Sequence, residues 1–490
     1  MNLFALLDQA AQRFPDHGAV YHGRRRCCTW NELRERVLRL AGSIRREHPA
    51  GTRIAIASEN RPEIVELLFG IWAAECVAVP INYKLHAREM AQILDDAEAA
   101  LVFASSVIAA QLDTPVAEAV DSEAYSRRFE AAPGTVPCTD PSTLAWLFYT
   151  SGTTGKSKGA MLSHRNLMAM TVAHLADMDA PDQHCSLVHA APMSHGSGLY
   201  IPAYVSRGAR QVISERGGFD ADDFLDLCGH HPGSSAFLAP TMVQRVVETG
   251  RRRPEQLRSI IYGGGPMYVE SIKKALEAFG PVFAQIYGQG ESPMTITGLR
   301  RSDYEAADDA VLGSVGYPRS GAEVAVLRDD GTPAATGEIG EIVCSGDVVM
   351  AGYWRNPAAT EEALRDGWLR TGDLGSFDAR GFLTLHDRSK DVVISGGSNI
   401  YPREVEEALL EHPDVSEVCV VGAPDPEWGE VVVAFIVIGD AAAIDLDDLD
   451  AHLLARIARF KRPKRYLVVN ELPKNSYGKV LKKDLRQQLV

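Results

Sequence analysis

The sequence predicts an α/β chain: a large N-terminal domain of parallel-rich αβα sheets, a β-rich subdomain attached to it, and a small α+β domain at the C-terminus. Three observations lead there. Strand-length apolar runs alternate with helical periodicity from the N-terminus to beyond residue 286. From about Gly313 to Leu385 this gives way to short alternating strands with glycine turns, as in EIGEIV at 338–343. A charged junction, DRSKD at 387–391, then precedes a compact mixed segment. At 490 residues the chain exceeds what one core ordinarily serves, so we divide it into 1–387, a linker at 388–391, and 392–490.

Taken in order, Leu3, Leu6, Leu7, Ala10, Ala11 and Phe14 share one face of a short N-terminal helix, with no basic head and long apolar run of a secretory leader. Thr29 and Glu32 form a capping box ahead of Leu33, Val37, Leu40, Ala41 and Ile44 at helical spacing. RIAIA at 53–57 reads as a strand, Asn60-Arg61-Pro62 starts a helix running through Trp72, and CVAV at 76–79 reads as the next strand. That is a βαβ unit, which implies parallel pairing. Further strands are expected at 144–148 and 160–162, and at 235–238, 259–262 and 282–286, the last three each running into a Gly- or Pro-bearing loop. In open parallel sheets, ligands sit beyond the carboxyl ends of the strands. The C-terminal segment reads as a helix from Pro402 that ends before Pro413, strands at 418–421 and 431–438, a helix at 446–459 and a strand at 466–469.

Composition excludes several classes. A net charge of −15 argues against a nucleic-acid surface, although the Lys/Arg-rich C-terminal end leaves room for a local basic site for an anionic cofactor. The apolar fraction of 46% and charged fraction of 23% are ordinary for a soluble globular protein. No stretch reaches the roughly 18 apolar residues of a transmembrane segment. Eight cysteines are scattered, with only Cys27 and Cys28 adjacent and no C-x-x-C pair, so neither a metal site nor a disulfide framework is expected. A cytoplasmic location follows as the expectation.

Chemistry concentrates in a few glycine-bearing loops. YTSGTTGKSKG at 149–159 lies between two strand-like runs; its glycines and small hydroxyl residues let backbone N–H groups approach phosphate oxygens, and Lys156 and Lys158 add positive charge. Gly152 and Gly155 are separated by two residues rather than the four of a Walker loop, which disfavours a P-loop NTPase. YGGGP at 262–266 and YGQGE at 287–291 each follow a strand. WLRTGDLG at 368–375, SGGSNIYP at 395–402 and PKNSYGK at 473–479 come later. Each alone is compatible with an ordinary turn.

Together, in this order, they resemble the acyl-adenylating (AMP-forming) superfamily: acyl-CoA and aryl-CoA synthetases, peptide-synthetase adenylation domains and firefly-type luciferases. The likeness runs from about Leu33 to Lys479. It implies that 1–387 is the AMP-binding domain and that the C-terminal domain rotates on a hinge at Lys390. By the same resemblance Thr150, Ser151, Gly152, Thr153, Thr154, Gly155 and Lys156 take the ATP phosphates, and Gly263, Gly264, Gly265 and Pro266 form the adenine-side loop. Tyr287 stacks on adenine, with Gly288 and Gln289 in the same nucleotide element, and Glu291 holds the Mg²⁺ that bridges the phosphates, as a carboxylate suits a hard cation. Asp373 accepts from both ribose hydroxyls, and Arg388 is a second nucleotide contact. Lys479 is the catalytic lysine between the acid's carboxylate and the α-phosphate. His195 lies at the acyl pocket and tunnel mouth, and Gly396 and Gly397 line the tunnel for the CoA thiol. One position departs: Gly290 stands where threonine is usual, so Thr153 or Thr154 must supply any hydroxyl contact to the α-phosphate.

The implied reaction uses ATP to convert a carboxylic acid to acyl-AMP, then passes the acyl group to the CoA thiol, releasing AMP and pyrophosphate. It needs no nucleophilic side chain. Lys479 is expected to serve adenylation only. Eleven residues follow it, so no carrier domain is expected. The segment before His195 lacks the acidic residue that amino-acid-activating members use. Met193, Ser197, Leu199, Gly264, Gln289 and Met294, the implied pocket, are mostly apolar, which favours fatty or aryl acids. The alternatives are a stand-alone enzyme loading a carrier protein, a luciferase-like oxygenase with no positive support, and a non-catalytic nucleotide-binding protein. Lys479 and Glu291 speak against the last and Gly290 for it. A homodimer is compatible with these readings.

Overall fold

The computed structural model of the chain describes residues 1–112, 114–150, 157–439, 444–475 and 479–489. Two α/β sheets carry the N-terminal part. The larger has nine strands, ordered Tyr317–Pro318, Thr297–Leu299, Phe283–Tyr287, Leu257–Tyr262, Ser234–Leu238, Ser186–His189, Arg210–Ile213, Gly18–His22 and Arg25–Thr29. The six from Phe283–Tyr287 to Gly18–His22 pair in parallel, and the outer strands at both edges pair antiparallel. Short runs such as SSAFL and FAQIY are buried along their whole length, as parallel strands covered on both faces must be.

The second sheet has six strands: Ala117–Ala119, Leu101–Ala104, Arg53–Ala57, Val77–Ile81, Leu144–Thr150 and Lys158–Ser163. The expected βαβ unit is there, with Ile54 level with Ala78 and the helix Glu63–Ala73 between the strands. Only its last pair is antiparallel, a hairpin whose connection falls within the run predicted to take phosphates. One apolar core joins the two sheets through Trp30, Trp72 and Trp146, all fully buried. The helix Trp30–Glu47 starts on the predicted capping box, Thr29 Oγ accepting from Glu32 N–H at 3.3 Å and Glu32 Oε2 accepting from Thr29 N–H at 2.7 Å. At Gly70 a side chain would meet Leu40 Cδ2 at 2.6 Å, so glycine permits the close crossing of these helices.

The β-rich segment is a five-stranded antiparallel sheet built on Trp368–Phe377, flanked by Gly340–Ser345 and Leu383–Arg388. Register places Asp373 opposite Arg388, one residue before the 3₁₀ turn Ser389–Asp391. Beyond it, the long strands Val415–Asp425 and Gly429–Ile438 form the centre of a last five-stranded sheet, packed against the helix Pro402–Leu410. The helix expected at 446–459 ends sooner, at Leu454. Its buried stripe consists of Leu449 and Leu453, and the next turn offers Arg456, which turns to Glu411 (2.5 Å) instead of continuing an apolar face.

This last segment docks on the first. Tyr268 OH donates to Glu406 Oε2 at 2.9 Å, and Arg403 reaches the carbonyls of Met267 and Gly313 at 3.4 and 3.5 Å. Among the described residues no helix is long and apolar enough to cross a membrane.

Candidate active site

Strand ends deliver the chemistry. Thr150 closes Leu144–Thr150, and Glu291 follows Phe283–Tyr287 by one turn. They meet: Thr150 Oγ1 donates to Glu291 Oε1 at 3.3 Å. The same oxygen accepts from Tyr353 OH at 2.6 Å. Tyr353 sits in a loop stitched to the hairpin edge by Met161 N–H on Gly352 O (2.9 Å) and Trp354 N–H on Gly159 O (2.8 Å). Burial, and then the charge of Glu291, push the Tyr353 phenol well above its ordinary range, so it remains a donor. Lys158 Nζ lies 5.1 Å from the Tyr353 ring centre.

The turn 288–294 is tight. A Cβ on Gly288 would stand 2.7 Å from Met294 N, and Met294 itself has φ +58°. Gly290 packs on the hairpin: a Cβ there would overlap Thr150 Cγ2 and approach Phe148 Cδ1 to 2.8 Å. Threonine at 290 would therefore require Thr150 and Phe148 to shift from where they stand.

A second cluster is built around one carboxylate. Asp373, almost fully buried, accepts on Oδ2 from Tyr287 OH and Gln289 Nε2, both at 2.7 Å, and pairs through Oδ1 with Arg388 Nε at 3.2 Å. Gln289 also donates to Thr371 O at 2.9 Å. The predicted Tyr287, Gln289, Asp373 and Arg388 thus form one cluster. Gly263 and Gly264 turn away from Tyr262 beside it: a Cβ on Gly263 would sit 2.5 Å from Ile286 O, and Gly264 has φ +82°, a conformation suited to glycine. Gly265 and Pro266 complete this loop ahead of the helix Val269–Phe279.

Lys479 faces the same cluster. Its side chain keeps access to solvent, yet the surrounding protein, followed by Arg388, lowers its pKa to about 8, against the pull of Asp373 and Asp391. His195 meets Phe148 edge-on, ring centres 4.9 Å apart, and its Nδ1 lies 3.1 Å from Ser194 Oγ. Burial lowers the His195 pKa to about 4, so the ring is neutral. Lys390 is exposed in the Ser389–Asp391 turn. Gly396 and Gly397, with φ +55° and +78°, turn the hairpin between Val393–Ser395 and Ser398–Ile400, where Gly396 packs on Trp428. Ser151, Gly152, Thr153, Thr154, Gly155 and Lys156 lie outside the described residues.

For a divalent cation, the described residues contain no cluster of three or more His, Cys, Asp or Glu. What they offer is the Glu291 carboxylate beside the Thr150 and Tyr353 hydroxyls. That fits magnesium, which takes one or two carboxylates and completes its shell from phosphates and water. Sequence reasoning missed Tyr353, Phe148 and the docking residues Tyr268, Arg403 and Glu406. For Tyr353 the one signal was the GYW run at 352–354; the others carry none.

Comparisons with known proteins point to one enzyme family. The family described as AMP-binding enzyme matches residues 7–354, and the AMP-binding enzyme C-terminal domain matches 404–479. A feruloyl-CoA synthase of an Amycolatopsis species is 35% identical, covering 98% of this chain and 97% of its own. A medium/long-chain-fatty-acid–CoA ligase of Mycobacterium tuberculosis is 33% identical over 89% of this chain and 81% of its own. The solved o-succinylbenzoate CoA synthetase of Bacillus subtilis, in complex with its acyl-adenylate intermediate, superimposes with a TM-score of 0.87 at 30% identity, covering 98% of this chain and 97% of that one.

Proposed function

Because the chain belongs to the AMP-binding enzyme family, we propose that it is an AMP-forming acid–CoA ligase acting on a fatty or aryl acid. The observation that carries this is the grouping of Asp373 and Arg388 on one sheet with Lys479 in their field and with Gln289, two residues before Glu291, on the turn after a strand of another sheet. Both reactants are anions, and Lys479 supplies positive charge where the acid's carboxylate approaches the α-phosphate. A carboxylate oxygen attacks the α-phosphorus, the bond to pyrophosphate breaks, and acyl-AMP forms. Asp373 takes the ribose hydroxyls and Arg388 braces it. The phosphate loop around Thr150 takes the oxygens of the triphosphate. Glu291, held by Thr150 and Tyr353, would ligate magnesium, which neutralises phosphate charge when bound.

In the second step the CoA thiolate, formed by loss of its proton to solvent, attacks the acyl carbon and AMP leaves. The domain orientation with Lys479 at Asp373 suits the first step. For the second, the C-terminal domain turns about Lys390 and brings the Gly396-Gly397 turn to the acyl group. An acceptor as anionic as CoA has matching chemistry on that domain. Trp428, Ile394 and Phe460 are exposed at 44%, 56% and 55%, and Lys464 lies 5.7 Å from the Trp428 ring centre. Arg459 and Arg465 lie along the same segment, while Lys461 and Arg462 are taken up by Glu404 and Asp450. The exposed aromatic rings beside these cations fit the flat adenine and the phosphates of CoA.

The test is acid-dependent pyrophosphate release from ATP and magnesium, across fatty and aromatic acids, with and without CoA. Release that requires acid and rises with CoA, with an acyl-CoA product, is expected. Release indifferent to CoA would move the acceptor to a carrier protein, and silence in folded protein would leave a non-catalytic nucleotide-binding protein.

A further inference from the structure

Buried polar atoms without partners are costly, and a native fold keeps few of them without use. Ten such side-chain atoms occur among the described residues, and three of them lie together: Tyr200 OH and both ring nitrogens of His174. The two side chains are each 1% exposed and their ring centres are 4.7 Å apart. No sequence motif pointed to either.

Their position relates them to the acid. Next to Thr150 and Gly290 stands Phe148, which meets His195. The residue after His195, Gly196, is in such close contact with Phe237 that a Cβ would overlap its ring, and it would meet Met294 Cε at 2.9 Å. Phe237 in turn packs on Tyr200, ring centres 5.8 Å apart. An apolar wall therefore leads from the phosphate end, through Phe148, Phe237 and Met294, to a polar end at Tyr200 and His174. Behind that end lies the buried Arg319, which donates to Met294 O at 3.2 Å and whose charge acts on Tyr200.

The charge balance sets the ligand chemistry. Arg319 is already answered by Asp177 at 3.1 Å, and Arg258, the other cation that acts on His174, is paired with Asp179, so among the described residues neither is left for a second carboxylate. Burial lowers the His174 pKa to about 3, which keeps its ring neutral, with one nitrogen a donor and the other an acceptor. Tyr200 OH can do either. We infer that Tyr200 and His174 are specificity-determining residues at the distal end of the acyl pocket, selecting an acid that bears a neutral hydroxyl far from its carboxylate over an unsubstituted aryl or fatty acid. The inference rests on the ligase reading above. An acid without that hydroxyl would leave the buried groups unpaired, and this is the circumstance in which a site discriminates strongly.

The experiment compares 4-hydroxycinnamic, cinnamic and decanoic acids as substrates for pyrophosphate release, in the wild type and in Tyr200→Phe. The expected result is a kcat/KM at least tenfold higher for the hydroxylated acid in the wild type. In Tyr200→Phe that ratio should fall to near one, through loss of the value for the hydroxylated acid. The variant should also melt no lower than the wild type, since the hydroxyl it loses has no internal partner. An unaltered ratio in the variant, no preference in the wild type, or a clear fall in melting temperature would overturn the inference. If cinnamic or decanoic acid is turned over as well as the hydroxylated acid, the ligase stands and the polar end falls. If no acid releases pyrophosphate from folded enzyme, both fall.

Discussion

Lys479 stands between opposing charges, with Arg388 and Lys390 disfavouring its proton and Asp373 and Asp391 retaining it, and the largest influence is partial desolvation by the surrounding protein. With its pKa lowered to about 8, the ammonium is present below that pH and lost above it. The kcat/KM for acid-dependent pyrophosphate release should therefore fall as pH rises through about 8, and Lys479→Arg should move that limb to higher pH. Lys479→Ala should lower adenylation by on the order of 10²–10³, the usual loss for one charge-stabilising donor. It should leave thioester formation from preformed acyl-AMP largely intact; equal loss in both steps would contradict a role confined to adenylation. Glu291 depends on Tyr353 in the same local way. Tyr353→Phe should raise the magnesium and ATP concentrations needed for half-maximal rate by about tenfold, the low end of the about 1.5–3 kcal/mol of a hydrogen bond to a charged group; an unchanged magnesium titration would show that Thr150 alone suffices.

The hairpin Leu144–Thr150/Lys158–Ser163 and the turn 288–294 fit each other closely at Gly290. Gly290→Thr should depress adenylation in spite of restoring the usual residue of the family, and Thr150→Ser, which removes the overlapping methyl, should recover part of the loss. A fully active Gly290→Thr single variant would rule out this packing account. Much at this scale was legible in the sequence. The strand at 53–57, the capping box at Thr29 and the glycine loops follow from local periodicity and turn chemistry, and the cluster of Tyr287, Gln289, Asp373 and Arg388 followed from motif order. The helix after Leu446 was overestimated because helix-forming residues continue past Leu454, whereas the face they would bury does not. Tyr353 was missed because its partner, Glu291, lies 62 residues away and depends on sheet-edge pairing that leaves no periodic trace. Tyr200 and His174 were missed for a related reason: an unpaired buried atom can be recognised only once its neighbours are known.

On the scale of the molecule, the orientation of the C-terminal domain is held by few contacts, which suits a part that has to leave. Tyr268 to Glu406, Arg403 to two carbonyls, and Asp387, which accepts from Arg403 N–H at 3.2 Å and lies 3.7 Å from Lys482, tie it to the first domain, while Lys482 also lies 3.4 Å from Glu406 of its own domain. Arg403→Ala should slow acid-dependent pyrophosphate release more than it slows thioester formation from acyl-AMP, because it removes contacts particular to the first orientation. Equal slowing of both steps would mean that Arg403 supports folding of the domain and not its orientation.

The cross-strand pair of Asp373 and Arg388 ends one residue before an exposed turn that contains Lys390. A protease specific for basic residues can enter that turn only when the last rungs of the strand pair open. A ribose held on Asp373 would stiffen those rungs and reduce the open population. Limited tryptic digestion should therefore release a C-terminal fragment of about a hundred residues, more slowly when AMP is present than when it is absent. The backbone next to the hinge would then act as a nucleotide sensor, reporting occupancy of the site before any chemistry occurs, and equal digestion rates would show that the ribose and the hinge are uncoupled.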